Sequence, residues 1–222
     1  MSIVAKKSQG GVRRPQDQPA GEGETATKRR VIDAAVACIL ECGFYRASTN
    51  EIARRAGVTW GVIQHYFGTR EALMLAVLQD GSRQFAELVE EAHIDEATAE
   101  ERVGHLIDIL TSHYGHPEFL AYLQVLLNMD HDPRTSVEVR KTMREVAARS
   151  QDHVRRLLRE ALGPAASTPD LATTVFIVLR GFAISQQLQG TMGYDVSAPK
   201  ADRAARQRRI LAGILAPYLE EN

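Results

Sequence analysis

The chain has 222 residues, 44% of them hydrophobic, which is enough apolar material for a sizeable core and excludes a fully disordered protein. Its net charge of −1 hides an uneven distribution: residues 1–70 carry 11 Lys and Arg against 6 Asp and Glu, and residues 71–222 carry 16 against 22, so a basic front is joined to an acidic body and is suited to meet a polyanion. Two cysteines exclude a disulfide-built secreted scaffold, no apolar run approaches the roughly 20 residues that span a membrane, and there is no signal-peptide core, so a cytoplasmic protein is expected.

Residues 1–23 combine Pro15, Pro19, Gly21 and Gly23 with Lys6, Lys7, Arg13 and Arg14 and show no apolar period. A disordered tail is expected there, either a solvated leader or a basic arm that adds phosphate or minor-groove contacts. Helical periodicity then takes over and no strand is expected. A first helix is predicted over 25–41, with Val31, Ile32, Ala35, Val36, Ile39 and Leu40 on one stripe and Gly43 as its stop. Cys38 and Cys42, four apart on that helix, are poorly placed to bond each other and are expected as reduced, at least partly buried thiols. Short helices follow over 49–56 and 60–66, and a long one over 70–92, with Thr69 as N-cap and Glu71 in its first turn. Helices over 97–114, 117–129 and 134–162 come next. His116-Pro117 and Asp132-Pro133 mark two of the starts, because proline suits a first helical turn. Gly163-Pro164 breaks the chain before two last helices over 169–189 and 200–219. The fold class is therefore all-α, with about nine helices. Its expected parts are a tail (1–23), a small helical domain (24–70) and a larger helical domain (71–222).

The segment from Ser48 to Phe67 carries the chemistry. Ser48 and Glu51 make an S-x-x-E capping pattern, Ala53 is small where two helices must cross, Gly57 can take positive φ to turn the chain, Val58 plugs the corner, and Thr59 can cap the second helix. Two short helices joined by a tight glycine turn form a helix-turn-helix. On a wheel of about 100° per residue centred on Ile63, Trp60, Tyr66 and Phe67 flank the buried side, Gly61, Gln64 and His65 face outward, and Val62 lies at the edge. Such a small, polar face fits a major groove: Gln64 can make the paired contact to adenine and Val62 can touch a thymine methyl.

Residues from about Thr27 to Leu78 resemble the DNA-binding domain of TetR-family regulators. The resemblance rests on Ala34-Ala35, Gly43-Phe44, Glu51-Ile52-Ala53, Ala56-Gly57-Val58-Thr59, Gly61, His65-Tyr66-Phe67 and Thr69-Arg70-Glu71-Ala72-Leu73. It implies that Asn50, Trp60, Gly61, Val62 and Gln64 face bases, and that Thr49, His65, Tyr66 and Arg70 grip phosphates, with Thr59 counted among the DNA-facing residues. Gln64 stands where the family usually has tyrosine, Trp60 where lysine is frequent, and Arg70 where lysine is usual, so a relative's operator cannot be copied onto this chain. Trp60 has a second reading, packing against the first helix.

A reader of one half-site binds weakly, so a dimer with two heads about 34–36 Å apart is expected. The 169–189 segment is apolar round most of its circumference, and the last helix carries an apolar stripe. Val175, Leu179, Phe182, Ile210, Ile214 and Leu215 are the expected interface, with internal core as the alternative. The resemblance implies the same four-helix arrangement. Ile109, His113, Tyr114, Tyr122, Leu126, Met129, Met143 and Phe176 are candidate walls of a pocket for a small, largely apolar ligand, or else plain core. The resemblance further implies that ligand binding moves the helix beginning at Arg70 and disturbs the DNA-reading heads. Arg180 can pair with a ligand carboxylate, reach across a dimer interface, or reach water. His113 and His116 have H-x-x-H spacing, with His105 and His131 not far off, a weak metal pattern; no metal or other cofactor is expected. No nucleophile-elbow, P-loop, dinucleotide-binding or H-E-x-x-H motif is present, so an enzyme is not expected. Two readings remain: a ligand-responsive repressor on a palindromic operator, and a ligand-free DNA-binding factor. A real cavity in the second domain separates them.

Overall fold

The computed structural model describes residues 20–167, 169–188 and 200–215. Among them the chain is entirely helical: α1 (Ala20–Cys42), α2 (Thr49–Ala56), α3 (Trp60–Phe67), α4 (Arg70–Glu91), α5 (Ala99–Tyr114), α6 (Pro117–His131), α7 (Val137–Leu162), a 3-10 turn (Gly163–Ser167), α8 (Pro169–Leu188) and α9 (Lys200–Leu215). Helix α1 begins earlier than its apolar period suggested, so residues 20–23 are helical and not part of a tail. The rest of that tail, 1–19, and the expected helical ends at 189 and 216–219 lie outside the described residues. Helix α7 starts three residues late, because Asp132–Thr135 closes a turn (Thr135 N to Asp132 O, 3.0 Å) and Ser136 then caps the helix.

Several helix starts have a local cause. Thr69 accepts a hydrogen bond from the Ala72 amide at the head of α4. Thr98 and Glu101 close a full capping box on α5. His116 caps α6 with Pro117 at its first position.

Two apolar cores result. The first gathers α1, α2 and α3 with the front of α4 (Leu73, Met74, Val77, Leu78), and also takes in Ala121, Tyr122, Val125 and Met129 of α6 and Met143 of α7. The second gathers the rear of α4 (Phe85, Val89), α5, the rear of α7, α8 and Ala212 of α9. Helix α4 thus runs through both, and partly buried Phe119 packs against both. Polar ties reinforce the spine. Buried Asp80 of α4 accepts hydrogen bonds from Arg29 of α1 (2.8 Å), Arg83 (2.6 Å) and Gln84 (2.8 Å). Arg156 of α7 donates to the carbonyls of Val89 and Ala92, where a cation offsets the negative end of α4. Among the described residues no helix is long and apolar enough to cross a membrane.

Candidate nucleic-acid interface and ligand cavity

Helices α2 and α3 form the helix-turn-helix. Gly57 occupies the left-handed region (φ 65°, ψ 35°), the Val58 amide bonds back to Ala53 O at 3.0 Å, and partly buried Val58 packs on the first core, so the chain turns within the three residues Gly57–Thr59. Ser48 accepts from the Glu51 amide at 3.2 Å, but the reciprocal half of the capping box is missing. The Glu51 carboxylate is held instead by Arg54 (2.6 and 2.9 Å) and Arg55 (2.7 Å), which pull its pKa down to about 2. Thr59 has the backbone of an N-cap yet makes no side-chain cap bond, contrary to expectation.

In α3, Ile63 is buried, Tyr66 and Phe67 are half-buried, Gly61, Gln64 and His65 are exposed, and Val62 is at the edge. Trp60 is 53% exposed, so packing against α1 does not account for it. A Cβ on Gly61 would meet only Thr59 Oγ1 at 3.7 Å, ordinary contact, so the fold itself does not require glycine there. Asn50 is exposed and Thr49 half-buried at the start of α2. His65 lies against Tyr66 (5.0 Å between ring centroids), and the Lys28 ammonium lies 5.4 Å from the centre of the Tyr66 ring.

Arg70 departs from expectation. Its guanidinium is half-buried, donates to Phe44 O (2.6 Å) and Ala47 O (3.3 Å), and lies over the Phe44 ring at 4.4 Å. It ties α4 to the α1–α2 turn instead of pointing free toward a phosphate. Basic side chains that the motif did not point to are the half-buried Lys28, beside Tyr66 and paired with Glu24 at 2.8 Å, and the exposed Arg46, in that same turn.

A cavity of about 210 Å³ lies between α4, α6, α7 and α8. His113, Tyr122, Leu126, Met143 and Phe176 line it, as expected. Phe85, Phe119, Ser82, Ser150, Gln151 and Arg180 line it without having been singled out for its wall. The other three candidates lie elsewhere. Ile109 is internal core. Tyr114 is buried behind the cavity, edge-on to Phe119 (4.8 Å) and Phe176 (6.1 Å). Met129 faces a cleft beside Arg70.

His113 stacks on Phe85 at 4.4 Å with Tyr114 and Phe119 close by. Burial, aided by the His116 charge, holds its pKa down at about 4. The unfolded chain therefore protonates this group first, so its contribution is intact above pH 6.5 and is lost as pH falls toward 4. The expected loss is about 3 kcal/mol, absent in His113→Phe, read from urea unfolding between pH 7 and pH 4.

The weak metal pattern is not gathered. His105 pairs with Glu96 at 2.5 Å, His116 caps α6, and His131 bonds Leu127 O. Among the described residues no three His, Cys, Asp or Glu side chains are grouped to hold a metal ion. Cys38 and Cys42 are free thiols 3.6 Å apart, and burial together with the Cys42 hydrogen bond pushes Cys38 up to about 11.

The candidate interface residues divide. Val175 and Leu179 are each 1% exposed inside the second core, which corrects their assignment to a surface. They recur four apart on the inward stripe of α8. Phe182 and Leu215 are half-buried against that core. Ile210 and Ile214 of α9 are exposed, together with Ile177 and Val178 on the outer stripe of α8.

This geometry defines a helix-turn-helix head braced on a cavity-bearing helical body. Residues 31–77 match the profile of bacterial regulatory proteins of the tetR family. The chain is 36% identical over 78 residues to the fatty acid metabolism regulator protein of Bacillus subtilis, covering 35% of this chain and 40% of that one. It is 34% identical over 87 residues to the HTH-type transcriptional regulator BetI of Escherichia coli, covering 38% and 45%. The matched segment thus spans less than half the length of these relatives. Similar solved structures include the Bacillus subtilis regulator FadR with stearoyl-CoA (TM-score 0.60, 20% identity, 85% of this chain and 97% of that one). The multidrug binding protein EbrR with ethidium is another (TM-score 0.54, 23% identity, 86% and 99%). Residues 31–77 thus resemble the DNA-binding segment of the tetR family, and the described chain shares the fold of these solved regulators.

Proposed function

We propose that the protein is a cytoplasmic repressor that binds a palindromic operator as a homodimer and is released by a small, largely apolar ligand. The observation that carries the reading is the outer face of α3: Gly61, Gln64 and His65 are exposed and do no packing work, while Ile63 behind them anchors the helix in the core. In this reading Asn50, Trp60, Gly61, Val62 and Gln64 meet bases. Thr49, Thr59, His65 and Tyr66 meet phosphates, with Lys28 and Arg46 added, and Arg70 acts as a brace. Residues 24–70 then serve as the head and 71–222 as the effector and dimerisation body.

Ligand response is supported by the position of the cavity. Gly81 on α4 is packed so closely that a Cβ there would lie 2.7 Å from the Tyr122 ring, and Tyr122 lines the cavity. A ligand that displaces Tyr122 must displace α4, and the Asp80–Arg29 pair passes that shift to α1. Two structurally similar proteins hold stearoyl-CoA and ethidium, so the fold accommodates ligands of very different charge.

Selection from random duplexes at fixed moderate salt tests the reading: a palindrome of two half-sites is expected. Gln64→Ala is expected to change the preferred sequence, whereas His65→Ala weakens all DNA alike and lowers the salt slope by about one. An unchanged preference in Gln64→Ala would mean that α3 does not read bases with this face.

A further inference from the structure

We infer that the cavity takes a small organic anion, with an apolar tail inside and its charged head at Arg180; this rests on the effector-site reading above. The inner wall is apolar: Phe85, Met143, Val146 and Val154 are buried. The exposed rim includes Gln151 and Arg180. None of the residues lining the cavity is a carboxylate, so the one formal charge on its wall is the Arg180 guanidinium. That guanidinium has no hydrogen bond or ion pair among the described residues. The ring of Phe176, itself part of the cavity wall, lies 5.0 Å away, and the guanidinium charge also acts on the buried Tyr114 hydroxyl.

Its place on α8 matters. On the helix wheel Arg180 lies about 40° from Phe176, about 60° from the exposed Ile177 and about 160° from Val178, so it sits at the edge between the cavity side and the outer face of α8. The acids that act on the cavity-lining Tyr122 are already engaged: Glu118 with the Tyr122 hydroxyl (3.3 Å), and Asp80 with Arg29 and Arg83. A guanidinium without an ion-pair partner among the described residues, at the mouth of an apolar slot, disfavours a cation, tolerates a neutral ligand and prefers an anion.

Size narrows the class. The cavity's 210 Å³ lies below the roughly 300–1,000 Å³ of pockets for drug-sized ligands, so it suits a small ligand. That fits the tail of a medium-chain carboxylate and falls well short of an eighteen-carbon chain.

The experiment measures binding of octanoate, octanol and octyltrimethylammonium to the full chain by calorimetry, with operator affinity followed in parallel. Octanoate is expected to bind roughly tenfold more tightly than octanol, and the ammonium more weakly than both, because a hydrogen bond to a charged group is worth roughly 1.5–3 kcal/mol. Arg180→Gln should remove the preference for octanoate and leave octanol unaffected, while Arg180→Lys keeps most of it. Equal binding of octanoate and octanol by the wild type, an unchanged preference in Arg180→Gln, or binding of none of the three would overturn the inference. Affinity that keeps climbing to the eighteen-carbon acid would overturn the size limit. Octanoate binding that leaves operator affinity unchanged would uphold the anion site and remove the effector reading instead.

Discussion

Ile177→Asp combined with Ile214→Asp is expected to yield a monomer whose operator affinity is reduced about a hundredfold or more, while its helicity and melting temperature stay close to those of the wild type. Both side chains are 56% exposed in the protomer, on α8 and α9, so a carboxylate at either position stays in water when the chain is alone and costs little. Two copies meeting on this face through a two-fold axis would instead desolvate four carboxylates at once, a penalty that Ile210 and Val178 alone do not offset. A Cβ on Gly181 or on Gly213 would touch nothing within 4 Å, so these glycines serve no packing purpose in the protomer and leave room for close helix approach. The effect on DNA follows from linkage. Joining two heads raises the effective concentration of the second, and losing that join costs on the order of a factor of 10² to 10⁴. Sedimentation and fluorescence anisotropy on the same samples give the answer. A double variant that remains dimeric would place the interface on another face.

Phe85→Ala is expected to cost about 3–5 kcal/mol and lower the melting temperature by roughly 10 °C. Phe85 is 1% exposed, stacks on His113 at 4.4 Å, and belongs both to the second core and to the cavity wall. Its removal joins the vacated space to the existing cavity, so a small apolar probe should raise the melting temperature more in the variant than in the wild type. A loss of stability without any gain in ligand response would mean that the core collapses on the space. No loss at all would mean that the ring does not fill it.

The helices were legible because periodicity and caps agree in this chain, and the recognition helix was legible because its buried residue, Ile63, is flanked by small or polar side chains. What escaped the sequence has identifiable causes. S-x-x-E at Ser48–Glu51 closes only halfway because Arg54 and Arg55, one turn on, compete for the carboxylate; Thr98–Glu101, with no such competitor, closes fully. The apolar circumference of α8 hides which stripe faces in, so Val175 and Leu179 traded places with Ile177 and Val178. Aromatic and Met residues on the later helices mark only part of the cavity, because α4 supplies one wall through Leu78, Gly81 and Phe85. Arg70 was read as a free charge because its acceptors, the carbonyls of Phe44 and Ala47, are local only once α1 and α4 have met.

The first core does not end where the helix-turn-helix ends. Ala121, Tyr122, Val125 and Met129 of α6 close it from below, and Gln124 Oε1 accepts from the Phe44 amide at 3.2 Å. The head is therefore not a transplantable module. A chimera that grafts α1–α3 onto another regulator's body would leave its underside uncovered unless the matching face of α6 travels with it. Recombination among such regulators should then exchange operator specificity through point changes on the outer face of α3 more readily than through exchange of whole heads.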